Sequence, residues 1–351
     1  MYDIFYVSKG DAIEKDWETV KNKYPTAQCI SHVSSFEQIK SRAFTKMFWV
    51  IWDDLELADS FDLSTYQATK WDDQYVHVFK NGGYYDGICL FPKNIRLSTK
   101  EFEHRFFIAK KEVDISASIP RPYDVVMISY KEPNADKNYQ LLTKLFPNAK
   151  RVHGVKGIHQ AHIAAANLCS TDLFWAVDGD ANVLENFNFY YHIPYYDSNA
   201  KNSVHVWQSK NPINDLVYGY GGIKLLPRKL TIDMDSNKAD MTTSISKSFI
   251  SVKQISNITE FNTDPFSTWK SAFRECVKLS GRLISRQVDQ ETEERLRIWT
   301  IVGEDRPFGE FAISGAKLGK EYGEKHKDEP VALSKINDFD WLEQEFEKHH
   351  G

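Results

Sequence analysis

Leu173-Phe174-Trp175-Ala176-Val177-Asp178-Gly179-Asp180 decides how the rest of the chain is understood. A short apolar run that passes directly into two acids reads as a strand buried on both faces whose end meets solvent. Ligands of open α/β sheets bind at the carboxyl ends of strands, so Asp178 and Asp180 stand where chemistry is expected. Two carboxylates one residue apart can converge on Mg²⁺ or Mn²⁺, which favour hard oxygen ligands, and Gly179 permits the sharp backbone turn between them. Asp-Gly-Asp is also an ordinary turn sequence, so the pair by itself leaves both readings open.

Working outward, the same stretch has a twin. Met47-Phe48-Trp49-Val50-Ile51-Trp52-Asp53-Asp54 repeats it with Trp52 in place of Asp178, and four further segments pair in the same order. Asp3 to Ser8 matches Asp124 to Ser129, and Tyr24 to Gln28 matches Phe146 to Lys150. Val76 to Phe79 matches Val204 to Trp207, and Tyr85 to Lys93 matches Tyr220 to Arg228. The offset grows from 121 through 126 and 128 to 135, as loop insertions in the second copy produce. Internal repetition of this kind predicts two related α/β modules, residues 1–115 and 122–230, with a linker from Ile115 to Pro122 and a third portion, 231–351, without a counterpart. Within each copy, strand, helix, strand, helix, strand predicts a mainly parallel sheet covered by helices. Trp52 cannot ligate a metal, so the first copy reads as degenerate and the second as competent.

Composition narrows the class. The 351 residues are 42 % hydrophobic and 26 % charged, which excludes wholesale disorder. The longest apolar run is strand-sized, so no membrane-spanning helix is expected, and the N-terminus lacks the pattern of a secretory signal. Four cysteines far apart, with no C-x-x-C, suggest neither a disulfide framework nor a zinc ribbon; a reducing, cytoplasmic setting is the default. A net charge of -5 argues against a generic nucleic-acid coat while leaving a local basic groove open.

Val177-Asp178-Gly179-Asp180-Ala181 resembles the D-x-D motif of glycosyltransferases of the GT-A fold. Tyr218 to Arg228 resembles their glycine loop, and Gly303-Glu304-Asp305-Arg306-Pro307 their x-E-D element, in the family's order. The resemblance implies a tandem-duplicated GT-A (Rossmann-like) α/β fold with a mixed sheet and helices on both faces. The N-terminal copy, 1–115, would be an accessory domain, and 122–351 the catalytic one, with an acceptor-side insertion at 231–300 and a helical tail. It implies a metal-dependent hexosyl- or pentosyltransferase that uses a nucleotide-sugar, a UDP-sugar above all. Asp178 and Asp180 would hold Mn²⁺ or Mg²⁺, with His326 as a third ligand. Ser129, Tyr130, Lys131 and Glu132 would hold the base and ribose; Gly154, Lys156 and Gly157 would approach the diphosphate. Asp305, or else Glu304, would act as general base on the acceptor hydroxyl, although both acids also suit a helix start.

On the acceptor side stand Gly221, Gly222, Trp207, Asp264 and Trp269. Thr263 or Asp264 also reads as the cap of a helix with Pro265 in its first position. Ile128 to Asn134, His153 to Ile158 and the closing Ile336 to Leu342 are similar to glycosyltransferase-like proteins of tailed bacteriophages. That likeness implies double-stranded DNA carrying hydroxymethylated pyrimidines as acceptor, a host cytoplasmic setting and no membrane partner. A flipped base would need a basic face such as Lys93, Arg96, Lys100, Arg105, Lys110, Lys111 and Arg121, and rings such as Tyr190, Tyr191, Tyr195, Tyr196 and Trp207. The same residues also read as solvated lysines and core aromatics. A transferase for a surface glycan or protein, a nucleotidyltransferase, and a non-catalytic nucleotide-sugar or DNA binding module are the competing readings.

Overall fold

Each apolar run of the repeat is a buried strand, and the strands build two separate sheets. The computed structural model describes residues 1–10, 14–218, 222–236, 241–284 and 287–351. One unit comprises Met1–Tyr123 with Phe189–Asn202, and the other Asp124–Asn188 with Ser203–Gly351. The first holds β1 (Asp3–Val7), β2 (Gln28–Ile30), β3 (Met47–Trp52), β4 (Leu55–Leu57), β5 (Val76–Asn81), β6 (Cys89–Pro92) and β7 (Lys110–Pro120) in the order β2-β1-β3-β6-β5-β7-β4. The second holds β8 (Asp124–Ser129), β9 (Lys150–His153), β10 (Leu173–Asp178), β11 (Ala181–Val183), β12 (Val204–Lys210), β13 (Val217–Tyr218), β14 (Ile223–Pro227) and β15 (Phe249–Thr259). Their order is β9-β8-β10-β14-β12-β15-β11, with β13 added to β12. Strand for strand, the two orders are the same.

Both sheets are mixed rather than mainly parallel. β1 runs parallel to β2 and β3, as β8 does to β9 and β10; β6 and β14 then enter antiparallel. The repeat reaches further than the sequence segments did. β7 pairs parallel with β5 exactly as β15 does with β12, and the register slips at Phe79/Lys80/Asn81 and at Trp207/Gln208/Ser209, equivalent positions 128 apart. Ile115 to Pro120 is therefore strand, not linker, and residues 249–259 of the third portion do have a counterpart. Sequence matching missed both because the two strands alternate polar and apolar residues without sharing them.

Side-chain chemistry repeats too. Asp3 Oδ2 accepts hydrogen bonds from the Phe44 and Thr45 amides, at 2.6 and 2.7 Å, and from the Thr45 hydroxyl at 2.8 Å. Asp124 Oδ2 accepts from the Ser170 and Thr171 amides, at 2.6 and 3.1 Å, and from Thr171 Oγ1 at 3.3 Å. Each threonine hydroxyl also meets the carbonyl two residues on, Met47 or Leu173. This clasp ties the start of β1 or β8 to the loop that enters its neighbour, β3 or β10. A second pair is exchanged between copies: Asn81 faces Ser118 in one sheet, and Ser209 faces Asn257 in the other. Burial raises the Asp124 pKa, but bonds from Lys150 Nζ, Ser170 and Thr171 outweigh it and hold the carboxyl below its ordinary value. The clasp stabilises above the ordinary carboxylate range and its contribution is lost as pH falls through the lowered pKa. Asp124→Ala is expected to cost about 2 kcal/mol at pH 7, and less in acid, by denaturant titration at the two pH values.

The remainder of the second unit is helical. Asp264 accepts the Ser267 amide at 2.7 Å and caps the helix Pro265–Ser280, with Pro265 first, as the sequence indicated. It lies against the helix Gly309–Lys325. A Cβ at Gly315, Gly319 or Gly323 would strike the Trp269 carbonyl, the Phe273 carbonyl or the Ser280 hydroxyl. Glycine at every fourth position therefore lets two helix backbones touch. Among the described residues no helix is long and apolar enough to cross a membrane.

Candidate functional site

The turn after β10 is pinned at each peptide. The Asp178 amide donates to the Gly222 carbonyl at 2.7 Å, Asn138 Nδ2 donates to the Gly179 carbonyl at 3.1 Å, and the Glu260 amide donates to the Asp180 carbonyl at 2.7 Å. Glycine is required at 179 by close approach, since a Cβ there would lie 2.8 Å from Ser129 Cβ and 2.9 Å from Glu132 Oε2. A Cβ at Gly222 would meet Ala181 Cβ at 2.5 Å and Asn257 Nδ2 at 2.9 Å, so close approach requires glycine there as well. Glu132 is fixed by accepting the Tyr130 amide at 2.7 Å.

Charge is concentrated around this turn. Lys224 projects from β14, where Ala176 of β10 faces it, and its buried ammonium lies 2.9 and 3.2 Å from the two Asp178 oxygens. Burial, then repulsion from Asp178 and Glu132, pushes the Asp180 carboxyl up to about 7, against a smaller opposing effect of Lys224. His162, on the helix Ile158–Asn167, is driven down to about 4 by burial and by Lys224, so it is neutral at pH 7. Lys270 and Arg274, from the helix Pro265–Ser280, also lie within the field of Asp180.

The donor set suits a small hard cation. Mg²⁺ is commonly held by one or two carboxylates and completed by water and phosphate oxygens, and crowded acids gain most from such a charge. Asp178 and Asp180 would hold it. His326 is not brought to them: it ends the helix Gly309–Lys325, with its Nδ1 3.0 Å from Glu329 Oε2 and its ring tilted against Tyr322 at 4.5 Å. Among the described residues no cluster of three or more His, Cys, Asp or Glu side chains could hold an ion by itself.

Other predicted residues fall in several places. Ser129 Oγ receives Arg151 Nε at 2.9 Å and bonds His153 Nδ1 at 3.0 Å, while Lys131 lies over the Tyr130 ring. Gly154, Lys156 and Gly157 form an exposed loop, and Gly157, at φ +95°, opens a helix whose first amides have no side-chain cap. Glu304 and Asp305 are exposed in a turn that precedes the helix start by four residues or more; the neighbouring Arg306 binds Asp215 at 3.0 Å. Glu304 lines a shallow depression together with Thr300, Lys317 and Lys320. Gly221 lies outside the described residues. Trp207 and Trp269 are corrected: both are fully buried, Trp207 against Trp175 and Trp269 against Phe273, so neither meets an acceptor. Asp264 is the helix cap already described. Sequence reasoning missed Lys224, Asn138, Glu260, Lys270 and Arg274. A lone lysine inside the apolar Ile223-Lys224-Leu225-Leu226 was the available signal for the first.

The first unit shows what replaces this arrangement. Trp52 and Cys89 occupy the repeat positions of Asp178 and Lys224, so both members of the ion pair are exchanged for apolar groups. Burial pushes the Cys89 thiol up to about 12. Arg105 lies between the Trp52 and Tyr195 rings, 4.1 and 3.6 Å from their centroids, and binds Asp54 Oδ1 at 2.7 Å. Tyr195 belongs to the strap Phe189–Asn202, whose Tyr195 amide and His192 Nε2 both bind the buried Asp86, at 2.8 and 3.2 Å. Of the residues suggested to stack or to bind phosphate, Arg105 and Tyr195 are thus committed to this plug, and Lys110 and Lys111 pair with Glu112 and Asp72.

No protein-family profile and no curated protein matches the sequence. Among solved structures, the bifunctional IspDF from Campylobacter jejuni matches with a TM-score of 0.25 and 10 % identity, over 37 % of this chain and 49 % of that one. A likeness of that size carries no argument about fold or activity.

Proposed function

We propose that the second unit is a metal-dependent glycosyltransferase of GT-A type that moves a sugar from a nucleotide-sugar to a hydroxyl, with hydroxymethylated pyrimidines in DNA as the acceptor. The observation that carries this is the crowding of Asp178, Asp180 and Glu132 at the carboxyl end of β10, in a unit whose twin has Trp52 in place of Asp178 and binds its remaining acid, Asp54, to Arg105. A bound divalent cation would supply the charge that neutralises a departing diphosphate. The chain's own part is to fix the two carboxylates: Lys224 sets Asp178, and the Asn138 and Glu260 bonds set the peptide that carries Asp180. Lys156 and the free amides that begin the helix Ile158–Asn167 suit phosphate oxygens. The acceptor hydroxyl gives up its proton as its oxygen attacks the anomeric carbon and the sugar-phosphate bond breaks. Asp305 is retained as the base, which makes the reaction inverting.

Incubating the protein with Mn²⁺, labelled nucleotide-sugars and either hydroxymethylated or unmodified DNA tests this. The expected result is label confined to the hydroxymethylated DNA and nucleoside diphosphate released. Release of pyrophosphate would instead mark nucleotidyl transfer, and transfer only to glycans would overturn the DNA acceptor.

A further inference from the structure

Two cations next to the acidic turn have no role in the chemistry above. Lys270 and Arg274 stand one turn apart on the helix Pro265–Ser280, and both stack on the same ring: Lys270 Nζ is 4.7 Å, and Arg274 Cζ 5.3 Å, from the Phe339 centroid. Lys270 also covers Phe266 at 5.0 Å. Arg274 spends its bonds on neutral acceptors, the Ile336 carbonyl at 2.8 Å and Asn337 Oδ1 at 3.2 Å. Neither cation makes an ion pair among the described residues, whereas nearby Arg295 and Lys224 each take a carboxylate. Both are only partly exposed, and two like charges held together on an apolar ring, with carboxylates in their field but none directly paired, are costly to keep. Burial and then the Arg274 charge depress the Lys270 pKa, against the smaller opposing effects of Asp264, Glu132 and Asp180. An oxyanion placed between them and the acidic turn would relieve this cost, because a divalent cation on Asp178 and Asp180 and these two side chains would then share one set of phosphate oxygens.

We infer that Lys270 and Arg274 form a clamp for the diphosphate of the ligand, with Phe339 of the closing helix Phe339–His350 as the ring on which both are held. The transferase reading supplies the identity of the ligand; the clamp itself requires only a diphosphate.

Titration calorimetry of the full chain with inorganic pyrophosphate and with UDP, each with Mg²⁺, tests the clamp. Lys270→Met and Arg274→Met keep the apolar stems on Phe339 and remove the charges, and Lys270→Arg restores one. Each Met variant is expected to bind pyrophosphate and UDP about 10-fold more weakly or worse, with Lys270→Arg close to the parent. Arg274 also holds the Ile336 carbonyl, so Lys270→Met decides the matter if Arg274→Met unfolds. Parent-like binding by Lys270→Met, or no pyrophosphate binding by the parent protein, overturns the clamp. Loss of oligonucleotide binding in the variants with pyrophosphate binding intact overturns it in favour of a phosphodiester site. Clamp-dependent pyrophosphate binding with no sugar transferred from any nucleotide-sugar upholds the clamp and sinks the transferase reading alone.

Discussion

Asp180→Asn is expected to reduce sugar transfer by about 100-fold or more and to make the protein more stable, two results that pull in opposite directions. The carboxyl is held at about 7 by burial and by its acidic neighbours, while in an unfolded chain it titrates near 3.8. Between those values the folded protein keeps a proton that the unfolded chain has released, so this group lowers stability progressively as pH rises through that window. Above about 7 the full penalty is present. Asparagine removes the charge but keeps the shape, so the variant should gain on the order of 2 kcal/mol at pH 8, with the gain vanishing near pH 4. Paired denaturant titrations at the two pH values read this directly. Cation-linked nucleotide binding by the parent protein should strengthen as pH rises through 7, because the ionised carboxylate is the ligand. An Asp180→Asn protein of unchanged stability at pH 8 would show that the carboxylate is not crowded, and full activity would remove it from the mechanism.

Arg105→Ala is expected to destabilise the first unit as strongly as the truncation of a core aromatic residue. The guanidinium fills the space between Trp52 and Tyr195 and neutralises Asp54, and its side chain is 3 % exposed. Truncation leaves a cavity between two rings, and a carboxylate without its partner, at a cost of about 3–5 kcal/mol. Arg105→Met keeps most of the volume and should recover about half of that loss. The test is the midpoint of unfolding for both variants, followed by tryptophan fluorescence, since Trp52 lies in the stack. Transfer activity per folded molecule should stay at the parent level in both variants, because the plug holds no group of the second unit's site. Reduced specific activity in well-folded Arg105→Met would give the first unit a part in the reaction.

The duplication was legible because buried strands keep apolar runs where the residues at their ends differ: Met47–Trp52 and Leu173–Asp178 match although one ends in Trp52 and the other in Asp178. β7 and β15 escaped notice because their register, not their residues, is what repeats. Trp207 and Trp269 were misplaced for a related reason. A tryptophan in a polar context reads equally well as a binding surface or as core, and only packing against Trp175 and Phe273 assigns it. Lys224 was overlooked because a single lysine in a strand gains meaning only through the antiparallel register that sets it two residues from Asp178 across the sheet.

The two α/β modules, the acidic turn at a strand end, the capped helix at Asp264 and the difference between Trp52 and Asp178 at equivalent positions are set by the sequence itself. Those features are local: periodicity, turn residues and caps act within a few positions of the chain. Tertiary structure alone decided which cations face those acids, that His326 stands apart from them, and that Arg105 is stacked between Trp52 and Tyr195 of a strap from later in the chain. Charge pairs and stacking depend on through-space distances between residues 46, 51 or 90 positions apart, which no local pattern encodes.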